Sequence, residues 1–407
     1  MENNVNNTEI SYEELNDKNR GSYRLIDLRE EQTRSYGMIP GAIAMSEEKL
    51  MGDGLADLPE GNEVILYCNR GEKSLQYAEL LRDKGIPALS LKGGYNCWLL
   101  GHMMAQEALD SENNGQFARD VEQSIRKKFH KSLFSPFAKA CKTYELIKPG
   151  DKIAVCISGG KDSMLMAKLF QELQRHRQVP FELEFMVMDP GYSQANRQII
   201  EANARKLDIP VTIFESNIFE AVYHIDKSPC YLCARMRRGY LYNHAKMLGC
   251  NKIALGHHYD DVIETILMGM MYGSQIQTMM PKLHSSNFEG MELIRPMYLI
   301  REDDIKRWRD YHDLRFLQCA CRFTDNCSSC NQEGQTASKR LEIKHLIRDL
   351  KTVNPNIESN IFRSVENVNL STIIAYKKNG VKHSFLDTYD EAAPSAKGES
   401  PRETDSE

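Results

Sequence analysis

Long apolar runs are missing from this chain. No stretch of its 407 residues approaches the roughly 20 uninterrupted apolar residues that a membrane-spanning helix needs. The opening segment, Met1 to Tyr12, has neither a basic region nor an apolar core of the kind that directs secretion. The expectation is a cytoplasmic protein with no membrane partner. No internal repeat is visible, and the composition excludes collagen-like, coiled-coil and wholly disordered chains. What is present is 41% hydrophobic and 27% charged residues, over a length that predicts two or three domains of roughly 100–200 residues each. Eleven cysteines in a reducing compartment point to catalysis or metal binding before disulfides.

The net charge of −5 alone argues against a nucleic-acid partner, but it is unevenly spread. Residues 1–110 carry 11 Lys and Arg against 19 Asp and Glu, residues 111–386 carry 39 against 31, and the remaining 21 carry 2 against 7. An acidic first module thus precedes a basic body that can attract a polyanion. The polar run Asp110-Ser-Glu-Asn-Asn-Gly-Gln116 reads as a linker between them, and the Pro-, Ser- and acid-rich end reads as disordered. The boundaries expected are a flexible N-terminus 1–8, a first domain 9–105, a linker 106–124, a second domain 125–385 and an acidic tail 386–407. The second domain opens on a basic, aromatic-interleaved segment, Arg126 to Phe137, expected to stay helical up to Pro149-Gly150.

Short apolar runs alternate with helical periodicity in both domains. Tyr23–Asp27 and Val64–Tyr67 read as strands, and Leu75–Lys84 as a helix stopped by Gly85, with Leu75, Ala78, Leu80 and Leu81 on its apolar side. Further on, Lys152–Ile157, Phe181–Met188, Val211–Phe214 and Ile253–Leu255 read as strands. Asp162–His176, Gln194–Leu207 and Asp260–Met271 read as helices between and after them. Such alternation predicts an α/β fold with parallel sheets, whose ligands bind beyond the carboxyl ends of the strands.

Three chemical motifs sit at those ends. Cys68 closes a strand and opens the loop Asn69-Arg-Gly-Glu-Lys-Ser74 before a helix. Backbone N–H groups, the helix N-terminus, Arg70 and Lys73 would all favour a thiolate or an anionic persulfide there. In the second domain, Ser158-Gly159-Gly160-Lys161-Asp162-Ser163 follows a strand and enters a helix. Two glycines admit a close phosphate, Lys161 adds a charge, and Asp162 can hold Mg²⁺. The adjoining glycines distinguish this loop from the Walker type. Ile253-Ala-Leu-Gly-His-His-Tyr-Asp-Asp261 ends another strand and brings His257 and Asp261 to nucleotide or metal, or to capping of the next helix. Third, Pro229-Cys230-Tyr-Leu-Cys233 precedes Arg235, Arg237 and Arg238, and Cys319, Cys321, Cys327 and Cys330 cluster later. Spacing alone leaves a four-thiolate zinc site and an iron–sulfur cluster equally open.

The first domain resembles the rhodanese family from about Glu9 to Leu100. The resemblance rests on Leu25-Ile-Asp27-Leu-Arg29, Gly37-Met-Ile-Pro-Gly-Ala42, the Cys68 loop, and Leu91-Lys-Gly-Gly-Tyr95 with Trp98. It implies that Cys68 is a sulfur carrier; Met38 stands where the family usually has His. Ser158–Ser163 resembles the loop of PP-loop adenylating ATPases. From Ile125 to Thr372 the chain is similar to the tRNA 2-thiocytidine synthetase family, on the motifs above and, more loosely, on Asn360–Arg363 and Asn367-Val368. The fold implied is a rhodanese-like α/β domain followed by a doubly wound, adenine nucleotide alpha hydrolase-like PP-loop domain. The resemblance further implies ATP, Mg²⁺ and a [4Fe–4S] cluster held by Cys230, Cys233 and a third cysteine. Cys319 fits that third place best, and Cys321 is the substitute.

The expected activity is ATP-dependent 2-thiolation of a tRNA cytidine in the anticodon loop, with sulfur reaching the cluster through Cys68. Expected partners are tRNA, a sulfur donor such as a cysteine desulfurase, a persulfide or thiosulfate, and a second copy of the chain. The alternatives are sulfuration of another RNA position or a small molecule, and a non-catalytic sulfur or redox sensor.

Overall fold

The computed structural model describes residues 8–34, 37–52, 54, 63–110, 115–216, 218, 229–316 and 339–389. Two parallel sheets organise the chain. The first has β1 (Glu9–Ile10), β2 (Tyr23–Asp27), β3 (Ile43–Ala44), β4 (Glu63–Tyr67) and β5 (Ala88–Leu91) in the order β1-β5-β4-β2-β3. Its central strand is buried from Val64 through Tyr67, which is why its sequence is a continuous apolar run and not an alternating one. Around it lie α1 (Tyr12–Asp17), α2 (Glu31–Arg34), α3 (Glu47–Met51), α4 (Glu72–Asp83) and α5 (Gly94–Asp110). Gly85 ends the chain's turn after α4 at φ +81, as its place in the sequence suggests. Leu80 departs from the expected apolar side of α4: it is 45% exposed, while Ala78 and Leu81 face the core.

The second sheet runs β10-β11-β9-β6-β7-β8, parallel except for the edge strand β10 (Lys282–His284). Its members are β6 (Lys152–Ile157), β7 (Glu182–Asp189), β8 (Val211–Glu215), β9 (Lys252–Ala254) and β11 (Glu292–Ile294). Strand order reverses at β6, between β7 and β9, and open sheets hold ligands at such a switch point. Register aligns Val155 with Ala254 and Ala254 with Ile294, so the loops leaving β6, β9 and β11 emerge side by side. The helices are α6 (Gln116–Arg126), α7 (Ser135–Thr143), α8 (Lys161–Arg175), α9 (Gln194–Lys206), α10 (Pro229–Met247), α11 (Tyr259–Gly273), α12 (Glu302–Tyr311), α13 (Lys339–Val353) and α14 (Ile357–Ser364). A hairpin, β12 (Ala375–Lys378) with β13 (Val381–Ser384), follows.

Two expectations about the joints need correction. The stretch 106–124 is helical on either side of 111–114: α5 continues to Asp110 and α6 starts at Gln116. The α6 side chains bind the body directly. Glu122 accepts from Lys168 of α8 at 2.9 Å, and Lys168 is wholly buried and also donates to the Leu207 carbonyl. Nor is 126–149 one helix. Pro136 has no N–H to bond four residues back, and the backbone widens to a π-turn over His130–Phe134 before α7, with Ser135 N–H reaching the His130 carbonyl. From residue 390 onward the expected tail lies outside the described residues.

The two domains share one hydrophobic cluster. It runs from Leu25, Ile65, Tyr67, Tyr95 and Trp98 in the first through Val121 and Ile125 to Val155, Ile199 and Trp308 in the second. Helix α5 packs on α9, where Gln106 accepts from Lys206 at 3.3 Å and Asn96 donates to Asn196 at 3.1 Å. The buried Lys168–Glu122 pair pins α6 to this arrangement. Replacing Glu122 by Leu strands a buried ammonium, and the expected loss is about 3 kcal/mol of unfolding free energy in urea titration. Lys168→Met in the same background should recover part of that loss, because no unpaired charge is then buried.

Candidate functional site

Cys68 directly follows β4, the strand between β2 and β5 at the switch point of the first sheet. Its sulfur accepts from the Gly71 N–H at 3.2 Å and from the Ser74 hydroxyl at 3.5 Å, both at the start of α4. Ser74 is held in turn by the Gly71 carbonyl and by Ser90 Oγ at 2.8 Å. Glycine is required at two places in this cradle. Gly71 stands at φ +93 with Gly93 N 2.9 Å from where a Cβ would lie, and at Gly94 (φ +61) a Cβ would lie 2.4 Å from the Cys68 carbonyl. The loop is therefore clamped backbone to backbone against 93–95, and Tyr95 N–H donates to Cys68 O at 2.8 Å.

Cys68 sits on the floor of this loop, only 8% exposed. Lys73, expected beside the sulfur, pairs instead with Glu47 of α3. Gly71 and Ser74, at the helix end, donate to the sulfur. Beneath the loop, Asp27 binds Arg29 at 2.6 Å and accepts from the Tyr67 hydroxyl at 2.7 Å, and the Arg29 guanidinium lies 3.8 Å from the Tyr95 ring centroid. Other described thiols have a different character. Burial raises Cys141 and Cys156 to about 12 and Cys250 to about 11, so these three, which belong to none of the motifs singled out in the sequence, pack the core and are inert.

The loop after β6 has the shape its residues suggest. Gly159 is left-handed at φ +85, and Gly160 is the extended N-cap of α8, with no side chain capping the helix. Ser163 Oγ accepts from Ser158 N–H at 3.1 Å and donates to the Gly160 carbonyl at 3.0 Å, which closes the turn. Lys161 is 2% exposed, with its ammonium 3.1 Å from Asp162 and 3.4 Å from Glu302. Burial works against ionising Glu302, but Lys161, then Lys344 and Lys306, hold it well below the usual carboxylate range.

The loop after β9 adjoins it: a Cβ on Gly256 would lie 3.3 Å from Ser163 N. Asp261 caps α11 by accepting from His258 N–H at 3.0 Å and pairs with Arg340 at 3.2 Å. Its neighbour Asp260 is engaged by Arg301 at 3.0 Å and Glu302 N–H at 2.7 Å, so it is structural. Burial, then Arg295, lowers His257 to about 4 and keeps it neutral at neutral pH. Four buried polar atoms here have no hydrogen-bond partner among the described residues: Asp162 Oδ1, His257 Nδ1, His258 Nδ1 and Arg295 Nε. Unpaired buried groups are rare, and these four lie together, Asp162 in the first turn of α8 and the others just beyond β9 and β11. Together with a glycine cradle and an uncapped helix end, they fit a polar, phosphate-bearing ligand.

Arg295, Glu302 and Arg340 complete this site and were not singled out for it by spacing. Arg295 has a sequence signal, since it directly follows the short apolar strand ending at Ile294. Arg340 turns to Asp261 and Glu264, and Arg126 is engaged by Glu122 and Glu172, so these two basic side chains serve ion pairs within the fold. Arg235 and Arg238 remain exposed. Cys230 and Cys233 stand in the first turn of α10, three apart, but their side chains lie outside the described residues. Cys319, Cys321, Cys327 and Cys330 lie outside them altogether.

Comparison with known proteins agrees with this geometry. Residues 11–100 match the rhodanese-like domain and residues 122–324 the PP-loop domain. The fold and site are those of a rhodanese-like module joined to a PP-loop nucleotide-binding domain. A tRNA-cytidine(32) 2-sulfurtransferase of Herminiimonas arsenicoxydans is 34% identical over 244 residues, 59% of this chain and 73% of that one. Another from Polaromonas naphthalenivorans is 31% identical over 282 residues, 68% of this chain and 85% of that one. A solved structure, the U34-tRNA thiolase of Methanococcus maripaludis with its [4Fe-4S] cluster, is 21% identical with a TM-score of 0.44, over 58% of this chain and 79% of that one. The chain belongs to the tRNA-cytidine(32) 2-sulfurtransferase family.

Burial raises Glu264, 3.3 Å from Arg340 beside Asp261, to about 7. A carboxyl that holds its proton more tightly folded than unfolded contributes stability below its ordinary pKa of 4.5 and loses that contribution as pH rises through about 7. Glu264→Gln should remove this dependence, flattening the urea midpoint between pH 5 and 8 by an amount equivalent to about 2–3 kcal/mol. An unchanged slope would show that Glu264 is ionised in the folded protein.

Proposed function

We propose that the chain is an ATP-dependent tRNA sulfurtransferase that converts a cytidine to 2-thiocytidine, with Cys68 as the entry point for sulfur. The observation that carries this is the seating of both loops on one helix. Asn196 of α9 bonds Asn96 beside the Cys68 loop, and Ile200 of the same helix fills the space over Gly159, where a Cβ would lie 2.5 Å from it. The two residues are four apart and so share a helix face, separated by a rise of about 6 Å.

The chemistry then follows from the groups present. ATP binds with its phosphates on the backbone of Ser158–Ser163 and on Lys161. Asp162 Oδ1 is free to take Mg²⁺, and the phosphates and water would supply most of that ion's six oxygens. Among the described residues no cluster of three or more His, Cys, Asp and Glu could hold a metal unaided. Cytidine O2 attacks the α-phosphorus and the bond to pyrophosphate breaks, with its charge taken up by Lys161 and the α8 N-terminus. Arg295, which burial and then Arg238 pull down to about 10, stays cationic and faces the same anion. Hydrosulfide then attacks C2, and AMP leaves with the original O2.

The sulfane sulfur on Cys68 sits two electrons above hydrosulfide. A thiol co-reactant attacks the inner sulfur of Cys68–S–S⁻, releasing HS⁻ and leaving a mixed disulfide, which a second thiol reduces. By the family resemblance, Cys230, Cys233 and Cys319 (or Cys321) would hold a [4Fe–4S] cluster that supplies an open iron site for sulfur. The first-turn placement of Cys230 and Cys233, three apart on one helix, is compatible with that role. Exposed Arg235 and Arg238, with Lys127 and Lys131, present positive charge for RNA phosphates. The loading donor would be a cysteine desulfurase, a persulfide or thiosulfate.

The test is nucleoside mass spectrometry with pyrophosphate release, using anaerobic protein, unmodified tRNA, ATP and a thiol. Lys161→Met should lower pyrophosphate release by about 100-fold, the usual cost of removing one preorganised donor to developing charge. Cys68→Ala should abolish thiolation driven by thiosulfate and retain thiolation driven by sulfide. Pyrophosphate release without any 2-thiocytidine from the native chain would refute the reading.

A further inference from the structure

Building on that reading, we propose that sulfur passes from Cys68 to the PP-loop domain within one chain, across a built interface in which Asn96, Asn196 and Arg315 fix the orientation of the rhodanese-like module. Two domains on a flexible tether would meet in many orientations. Here three features specify one.

The first is the hydrogen bond from Asn96 Nδ2 to Asn196 Oδ1, whose α9 partner is wholly buried. Asn96 N–H also donates to the Asn69 carbonyl at 3.1 Å, next to Cys68, so the same residue holds the sulfur loop and the partner domain. The second is a notch. Gly37 stands at φ +130 with no side chain, and a Cβ there would lie 2.6 Å from Arg315 Nη1 and 2.9 Å from the Tyr95 hydroxyl. The guanidinium of the second domain thus occupies the space that Gly37 leaves beside the ring under the Cys68 loop. The third is the anchoring of Arg315 itself. Its carbonyl accepts from Asn203 of α9 at 2.9 Å, and its Nη2 donates to Asp313 at 2.9 Å.

A seam of apolar side chains would join the domains without choosing an angle. Buried amides and a guanidinium in a fitted notch cost free energy unless they meet their partners, and so they select one rotation. Asn196, Ile200 and Asn203 on α9 tie the carrier loop, the phosphate loop and Arg315 to one rigid element. The released hydrosulfide, produced by two thiols as written above, therefore starts from a point held in fixed relation to the phosphate loop.

The experiment uses the full chain, with Gly37→Val, which evicts Arg315, and the double variant Asn196→Ala/Arg315→Ala. Three readouts separate the roles: persulfide on Cys68 after thiosulfate loading, 2-thiocytidine driven by thiosulfate with dithiothreitol, and 2-thiocytidine driven by sodium sulfide. The expected result is loading and sulfide-driven thiolation within twofold of the native chain, with thiosulfate-driven thiolation down at least tenfold. Equal loss by both sulfur sources would reduce the contacts to a structural role, and retention of both would remove them from the relay; each overturns the proposal. A mixture of Cys68→Ala and Lys161→Met chains, kept dilute so that released hydrosulfide does not accumulate, should give less than a tenth of the native thiosulfate-driven rate. A tenth of that rate or more would show that sulfur reaches the adenylation site between chains and would overturn the within-chain route. Absence of sulfide-driven thiolation in the native chain would instead refute the functional reading on which the relay rests.

Discussion

The packing of Ile200 into the space above Gly159 is the contact on which the arrangement depends. The phosphate loop can adopt its left-handed turn only because residue 159 has no Cβ, and the same absence lets α9 settle against the loop. Once α9 is seated, its opposite commitments follow. Asn196 reaches the first domain, Asn203 captures the backbone at Arg315, and Leu207 offers its carbonyl to buried Lys168. A helix that reports to the phosphate loop, the carrier loop and the α6–α8 charge pair cannot shift for one without disturbing the others. That is a geometric reason for the two domains to share a core cluster instead of sitting apart.

Charge is distributed in a way that separates scaffold from chemistry. Asp27 with Arg29 and Tyr67, Asp260 with Arg301, and Glu302 with three lysines are closed groups, in which each buried charge finds its counterpart. Buried pairs of this type are costly to break and contribute little beyond a neutral alternative, so their value here is orientation. Glu302 fixes Lys161, and Arg301 fixes the start of α11. Against that background the unpaired atoms of Asp162, His257, His258 and Arg295 stand out by position: they gather where three strand ends meet, and they are the groups left for a ligand.

Much of this was legible from the residues. The runs Val64–Tyr67 and Lys152–Ile157 fall on their expected strands because a doubly covered parallel strand must be apolar along its buried length, and such runs have few other uses. The glycine pair after β6 and the cysteine after β4 could be read because a tight, phosphate- or sulfur-facing loop tolerates few residue types. What the residues did not reveal was pairing at a distance. Nothing local distinguishes Lys73, bound to Glu47, from a lysine facing the sulfur, or Arg340, bound to Asp261, from one facing RNA. The stretch 106–124 resembles a tether because of its polar, Asn- and Gly-rich run 110–116, whereas Glu122 is the counter-ion of a lysine buried 46 residues later. Ion pairs across sequence are invisible to periodicity.

The depth of Cys68 fits a relay better than an open carrier. A thiol on the surface would exchange with any small disulfide or thiol, at a rate set by its exposure and thiolate character. At 8% exposure, with its sulfur bonded to Gly71 and Ser74, Cys68 can be reached only by a donor that enters the loop or by movement of residues 69–74. A flexible linker would raise the local concentration of the carrier without choosing who approaches it. A fixed interface can do both, since it holds the Cys68 loop in one orientation through Asn96 and Asn196. In the proposed relay the buried cysteine and the rigid seam answer the same demand: sulfur must reach one activated carbon and be withheld from the other electrophiles and oxidants around it.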